Sequence, residues 1–434
     1  MTRPFRLMTL APGHFHAALL LKEMPPEIFR RIYVYGPLDA DLADYMARVA
    51  GFNGRADNPT RWQVDVRASE DYLSRFLREQ PGNAAVIAGR NRPKIDLILA
   101  AVSNACHVLA DKPWVIDAAG FAKLAEVFRQ ADLREVLVWD MMTERFDIAT
   151  VLQRDLMQDA EVFGDPVAGT ADDPALTLDA THYLCKTVAG VSLRRPAWWF
   201  DPTEAGTGLA DVGTHLADLS IWLLFPDQAL DHRVDLDVLD ARIWPTPLTR
   251  AQCRAITGND DGEVDDDVLL YQGNGSATYS LRGVSVRMTV NWDYEAAGPD
   301  QTDLHEATAR GSRARIRVRS TATPGGRTAT ELSVIAQNAT DHAALFAAVG
   351  RRCGEWKLRH PGVRGTDLGD RIRIEIPDRY RTEHEQHFAD VLDEFLRHAR
   401  NPRRAPPWEI PNLLTKYAIT TQAVELARAK QSRG

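Results

Sequence analysis

A chain of 434 residues is too long for a single hydrophobic core and is expected to divide into two domains. With 44% hydrophobic and 26% charged residues it has the make-up of a folded globular protein, which excludes wholesale disorder. Its 52 basic and 60 acidic side chains leave a net charge of −8 without any Lys/Arg run, which argues against a nucleic-acid or anionic-membrane surface.

Residues 5–10 read as a strand, followed by a helix over 16–24 that Pro25 and Pro26 would stop. Residues 32–35 form a second strand closed by Gly36-Pro37, and 41–49 are helical. A strand over 83–88 ends at Gly89, a helix covers 94–104, and His107–Ala110 and 136–139 are further strands. Strands alternating with helices predict βαβ units and a parallel sheet, so residues 1–143 are expected to form an α/β domain. Ligands of such sheets bind beyond the carboxyl ends of the strands. Here those ends carry residues 11–16, 35–37, 88–91 and 111–114.

From residue 144 the texture changes. Residues 148–158 and 213–224 are helical, and 230–335 alternate in strand fashion with breaks at Gly, Asn and Asp. That pattern predicts a second, α+β domain over 144–434, with a large open and mostly antiparallel sheet. Residues 320–330 and 355–370 read as exposed loops, and C-terminal helices fall within 380–400 and 411–430. The four cysteines (Cys106, Cys185, Cys253 and Cys353) lie far apart without CxxC spacing, as free thiols in a reducing compartment would. No stretch approaches the roughly 20 apolar residues of a spanning helix. Pro12, His14 and His16 break the apolar run that a signal peptide needs. The expectation is a cytoplasmic protein without a membrane partner.

Three clusters could carry chemistry. The first is APGHFHAAL, after the first strand, where a Rossmann-like fold holds dinucleotide phosphates. Only Gly13 remains of the usual glycines, and His14 and His16 read alternatively as a helix-start and a core histidine. The second is HVLADKPWVID, in which a strand ends at Asp111-Lys112-Pro113. An ammonium fixed there can stabilise a developing alkoxide, and the apolar flanks argue against a solvated lysine. The third is GTGLADVGTHLADLSIWLL, where Asp211 and His215 stand four residues apart at a helix start and so share a face. A carboxylate beside an imidazole orients it and raises its proton affinity, which makes a general base. Gly206, Gly208 and Gly213 would admit a ligand or another backbone. Asp218 either continues this site or is a helix-surface charge.

HVLADKP resembles the "HVLxEKP" element of the Gfo/Idh/MocA oxidoreductases, and residues 206–218 resemble that family's "GGGxLxDxGxHxxD" element, about 100 residues downstream as in the family. A subgroup with a distinctive C-terminal domain is suggested by APGHFHAAL, LRRPAWWFD, VNWDYEA, EHEQHF and LLTKYAITTQA, so the resemblance touches nearly the whole chain. It implies NAD- or NADP-dependent hydride transfer at a secondary hydroxyl of a sugar, polyol or glycoside, with Lys112, Asp211 and His215 as the catalytic group. It also implies a homo-oligomer, dimer or tetramer. The implied cofactor site comprises Gly13, His14, Phe15 and His16, then Tyr35 and Gly36, Ala88, Gly89 and Asn91, and finally Asp111, Lys112 and Pro113. No acidic residue stands at the tip of the second strand, where Asp39 is a weak substitute. No metal is expected.

For the substrate, His182 and Lys186 on THYLCKTVAG, Arg195, Trp198 and Trp199 before the third cluster, and His305 are candidates. Aromatic planes beside hydrogen-bonding groups suit a sugar ring, although the tryptophans read equally as core and the arginines as surface. His384 and His387 read as structural. The rival reading is a metal-dependent hydrolase or lyase built on His14, His16 and His215. The strand-rich second half lacks the regular βα repeats of the barrel that such chemistry needs. A silent ligand-binding relative would be expected to lack one of Lys112, Asp211 or His215, and all three are present.

Overall fold

Why the first strands form is visible in their burial: LMTL and AAVI are covered on both faces, as parallel strands between helices must be. The structure is a computed structural model and describes residues 4–188, 191–258, 268–296, 301–323, 328–382 and 384–432. It separates into two units. The first comprises Met1–Thr143, Pro196–Gly206 and His384–Ile410, and the second comprises Glu144–Arg195, Thr207–Glu383 and Pro411–Gly434. Two segments distant in sequence thus complete the first unit, a division that a single cut at 143 does not express.

The first unit holds β1 (Leu7–Leu10), α1 (His16–Leu19), β2 (Arg31–Gly36), α2 (Ala40–Gly54), β3 (Gln63–Ala68), α3 (Tyr72–Glu79), β4 (Ala84–Ile87), α4 (Asn91–Ser103), β5 (His107–Ala110), α5 (Ala118–Arg134) and β6 (Val138–Asp140). Its six strands are all parallel in the order β3-β2-β1-β4-β5-β6. The order reverses between β1 and β4, and the crevice for a ligand opens beyond the carboxyl ends of those two strands. The helix expected over 16–24 is cut to one turn. Leu21 and Lys22 donate to the carbonyls of Ala18 and Leu19, three residues back, so the chain tightens before it reaches the prolines. Asp39, Asp117 and their kind start helices here: Asp39 accepts from Leu42 N at 2.9 Å and Asp117 from Gly120 N at 2.8 Å.

In the second unit lie α6 (Ile148–Met157), β7 (Leu176–Cys185), β8 (Thr187–Val188), β9 (Val191–Ser192), α7 (Val212–Leu224), β10 (Leu236–Thr249), α8 (Arg250–Thr257), β11 (Val268–Leu281), β12 (Val284–Glu295), β13 (Leu304–Arg310), β14 (Ala314–Ala322), β15 (Thr328–Ala336), α9 (His342–Glu355), β16 (Arg364–Asp367) and β17 (Ile372–Glu375). Nine strands form one open sheet in the order β10-β11-β12-β7-β13-β14-β15-β17-β16, in which only the β12–β7 pair is parallel. The β11–β12 hairpin turns through Arg282 and Gly283, both left-handed at φ 48° and 80°, the twist that a tight hairpin demands. α7 is buried at every residue but Trp222, so it has no polar face to offer solvent.

α10 (His384–Ala399) belongs to the first unit, and α11 (Glu409–Gln431) belongs to the second from Pro411 onward. The expected loop over 355–370 is corrected: it contains the fully buried Trp356 and the strand β16, which pairs with β17. The expected loop over 320–330 is entered and left by β14 and β15, and its residues 324–327 lie outside the described residues. Among the described residues no helix is long and apolar enough to cross a membrane.

Candidate functional site

The first unit carries its candidate residues at strand ends. β1 leads into Ala11, which takes a left-handed φ of 46° where the first glycine of a dinucleotide loop would stand. Gly13 is the second glycine position: a Cβ there would lie 3.0 Å from Asp41 Oδ2 and 3.4 Å from Gly89 Cα. The third position is His16, and its bulk prevents the close helix packing that glycine allows. Gly13 N and His14 N both donate to Ala88 O at 3.0 Å, which ties the loop to the end of β4. A Cβ on Gly89 would come within 2.2 Å of Ala11 O, so this strand end must be glycine.

Both loop histidines turn onto β5. Nδ1 of His16 is 3.0 Å from Asp111 Oδ1, and Nδ1 of His14 is 3.0 Å from Asp111 Oδ2. Burial pushes the His14 imidazole down to about 3, reinforced by His16 and opposed by Asp111. Burial alone would raise the Asp111 carboxyl, but the two imidazoles outweigh it and hold the group well below the usual carboxylate range. Next in chain, Lys112 is buried and precedes Pro113 through a cis peptide bond. Its carbonyl and Asn91 Oδ1 both accept from Lys94, a residue 1% exposed, while Asn91 Nδ2 donates to Ala205 O at 2.7 Å.

Trp198 and Trp199, expected beside a substrate, lie in the first unit with this loop. Trp198 Nε1 donates to Asp41 Oδ2 at 3.0 Å, and Trp199 stacks on His14 with centroids 5.4 Å apart and planes 12° apart. Tyr35 is buried at the end of β2, with its hydroxyl donating to Glu79, and Gly36 follows it. Asp39, as a helix cap, is already committed. Asp41, which the sequence did not single out, is the carboxylate against Gly13, and burial raises it to about 6.

The second unit carries Asp211 at the N-cap of α7 and His215 in the first turn, 6% and 9% exposed. What puts them there is Gly208: its N donates to Gln272 O, and a Cβ on it would lie 1.7 Å from Gly273 O, so only glycine lets this segment lie against β11. Gly206 is left-handed at φ 85°, whereas Gly213 meets only ordinary contacts and is not required by space. Asp218 is not a surface charge. Arg145 grips it with two bonds of 2.7 Å and Lys416 adds a third at 3.1 Å. Burial pushes its carboxyl up, and the two cations outweigh that and lower it.

A second group in the same unit joins most of the expected substrate residues. His182 Nδ1 is 2.7 Å from Asp303 Oδ2, and Lys186 pairs with the same carboxylate. His305 lies edge-on to His182 at 5.6 Å, and His182 packs on Trp292 at 5.0 Å. The Arg195 guanidinium is buried 4.8 Å over Trp292, and burial lowers its proton affinity against the pull of Tyr271, Asp211 and Asp303. His182 Nε2 is buried without a hydrogen-bond partner among the described residues. Asp303 was missed in the sequence, where a lone aspartate in a turn carries no signal. It meets His182 because β13 pairs with β7, placing Leu304 opposite Thr181.

The family model of the putative oxidoreductase C-terminal domain matches residues 152–428. The fold is that of a putative oxidoreductase from Parabacteroides merdae, 36% identical over 99% of this chain and 98% of that one, with a TM-score of 0.94. It is also similar to levoglucosan dehydrogenase solved with NADH and levoglucosan, 12% identical with a TM-score of 0.60, each chain covered to 98%. A 3-ketoreductase from Actinomadura kijaniata solved with NADP has 14% identity and a TM-score of 0.56, again with 98% of each chain covered. At such identities the last two establish the fold alone. No curated protein matches the chain.

Proposed function

The chain belongs to the Gfo/Idh/MocA-type oxidoreductases, in the group that carries the putative oxidoreductase C-terminal domain, and we propose that it moves a hydride between a nicotinamide cofactor and a secondary hydroxyl of a sugar, polyol or glycoside. One observation carries the reading most: the buried Lys112 stands just past the end of β5, on the ligand edge of a parallel sheet ordered for dinucleotides. NAD or NADP would supply the nicotinamide C4 that exchanges the hydride.

The strand ends fit a dinucleotide in some respects and depart in others. Gly13, Gly89 and the left-handed Ala11 keep the backbone open at the β1–β4 crevice. Phe15, His14 and His16 replace the small side chains usual there, and the amides of Gly13 and His14 are committed to Ala88. We assign the cofactor to the strand ends at Tyr35-Gly36, Ala88–Asn91 and Asp111–Pro113 together with this loop.

In the reaction, His215 accepts the hydroxyl proton, Asp211 orients the imidazole and balances its charge, and Lys112 stabilises the oxyanion. Arg195, His182, Lys186 and His305 hold the substrate's hydroxyl edge. The proposed homo-oligomer finds support in the apolar Leu239, Trp244, Val268 and Leu270, which β10 and β11 expose at one edge of the open sheet. The metal-hydrolase alternative is set aside: His14 and His16 belong to a Rossmann-like unit in a chain of oxidoreductase kinship.

The test is Lys112→Met, assayed for nicotinamide reduction across polyols, aldoses, glycosides and sugar acids with NAD and with NADP. Loss of a charged oxyanion donor costs about 10²–10³ in kcat. A folded variant with unchanged turnover sinks the assignment.

A further inference from the structure

The cluster at the head of the first unit has a property that hydride transfer does not use. We propose that His14, His16 and Asp111 form a binding site for one divalent first-row metal ion of zinc-like chemistry. The inference does not rest on the reading of the reaction given above.

The geometry comes first. Two imidazoles and a carboxylate offer donor atoms that all lie within 4.8 Å of one another. The side chains of His14, His16 and Asp111 are 9%, 9% and 2% exposed, and both Nδ1 atoms approach the same carboxylate at 3.0 Å. Zinc bonds of about 2.0–2.2 Å set neighbouring ligand atoms of a tetrahedron roughly 3.4 Å apart. The two imidazole–carboxylate contacts would open by about 0.4 Å, and the widest donor separation close by up to about 1.4 Å, to surround an ion. Two histidines and one carboxylate leave further positions open, as sites for exchangeable ligands require.

The second observation is an unsatisfied donor. His14 Nδ1 is buried and close to Asp111 Oδ2, yet it makes no aligned hydrogen bond among the described residues. An orphaned buried polar atom calls for an explanation, and a bound ion is one of the few.

Third, the rings are held from behind. His14 stacks on Trp199, while His16 packs against Phe388 at 4.6 Å and meets His14 edge-on at 4.1 Å. Rings fixed by neighbours in this way keep a ligand set assembled before the ion arrives. His384, at the start of α10, lies 6.1 Å from His16 ring to ring and is the side chain best placed to join as a fourth ligand. The chain thus draws ligands from a loop, a strand end and a distant helix, all within one unit.

The competing explanation is a metal-free lock in which both imidazoles merely donate to the carboxylate. The full-length protein purified without chelator is analysed for metals, then stripped and titrated with Zn²⁺ against a chromophoric chelator. The expected result is one equivalent per chain. Asp111→Asn and the His14→Ala/His16→Ala pair should each weaken binding at least 100-fold, and His384→Gln about tenfold. His398→Gln, which lies elsewhere on α10, should leave it unchanged. Because the cluster variants could fail to fold, Co²⁺ is also added to the stripped wild type, where d–d bands of an imidazole-ligated low-coordinate ion are expected. The absence of saturable Zn²⁺ binding and of such bands overturns the proposal, as does one equivalent that survives in folded variants. Dinucleotide binding measured on the same stripped protein separates this outcome from failure of the hydride-transfer reading.

Discussion

Replacing Asp218 by Asn should destabilise the second unit severely. The carboxylate is 4% exposed and is the shared counter-ion of Arg145 and of Lys416, whose side chain is 1% exposed. Asn keeps the shape and one acceptor but removes the buried charge that Arg145 and Lys416 share. Breaking a buried pair by removing one partner costs about 3–5 kcal/mol, mostly as the penalty of the stranded charge. In a unit of roughly 250 residues each kcal/mol moves the melting temperature by about 2–4 °C. A drop on the order of 10 °C is therefore expected in the transition that reports the second unit. Calorimetry resolves it, since two units need not unfold together.

The same reasoning predicts a rescue. Lys416→Met in the Asp218→Asn background removes one stranded cation and keeps most of the buried stem, so it should restore part of the loss. A double variant that melts no higher than Asp218→Asn would show that the penalty is not electrostatic. A single variant within about 1 kcal/mol of wild type would refute the burial argument itself. Since α7 also carries His215, residual turnover in the rescued protein separates the anchoring role of Asp218 from catalysis.

His107 accepts from Leu137 N at 3.0 Å, and burial lowers it from 6.5 to about 4. The unfolded chain therefore binds the extra proton first, and stability falls as pH drops from 6.5 to 4, by up to about 3 kcal/mol. His107→Asn should flatten that part of the pH–stability curve measured by urea unfolding. Asp41 runs the other way: burial raises it from 3.8 to about 6, so its charge costs stability as pH rises through that window. The ceiling of about 3 kcal/mol shrinks to roughly 1 for a group partly open to water. Asp41→Asn, which can still accept from Trp198, should gain about that much at pH 7 and nothing at pH 3.

Legibility in the sequence followed the reach of local pattern. β4 and β5 were readable because strands covered on both faces must be apolar throughout, and α7 because its apolar run is long. β3 escaped notice because QVDVRA is an edge strand with charges at Asp65 and Arg67, so burial had left no continuous apolar signature. α5 was passed over although Leu124, Val127 and Ala131 mark its buried face, so there the signal existed. Asp303 and its bond to His182 were beyond reach, because the pairing of β7 with β13 brings together two residues 121 positions apart. Asp218 stays open between site and surface in the sequence for a different reason. Helical spacing gives a residue's face, but not whether that face meets solvent or two cations.

The loop after β1 shows how a departure from a motif acquires its cause only in three dimensions. Glycine at the third position of a dinucleotide loop serves close helix packing, and His16 gives that up. The imidazole must then be housed, and Asp111 houses it from the end of β5, two strands away across β4. Parallel order brings every carboxyl end to one edge, so a side chain lost from the glycine pattern at β1 can be answered at β5. The shortened α1, the two amides bonded to Ala88 and the stacking of Trp199 on His14 all surround the same substitution. Glycines hold such a loop by letting backbones approach; here side chains hold it. That difference makes the loop sensitive to whatever binds those side chains, and a ligand on His14 or His16 would act directly on the strand end that precedes Lys112.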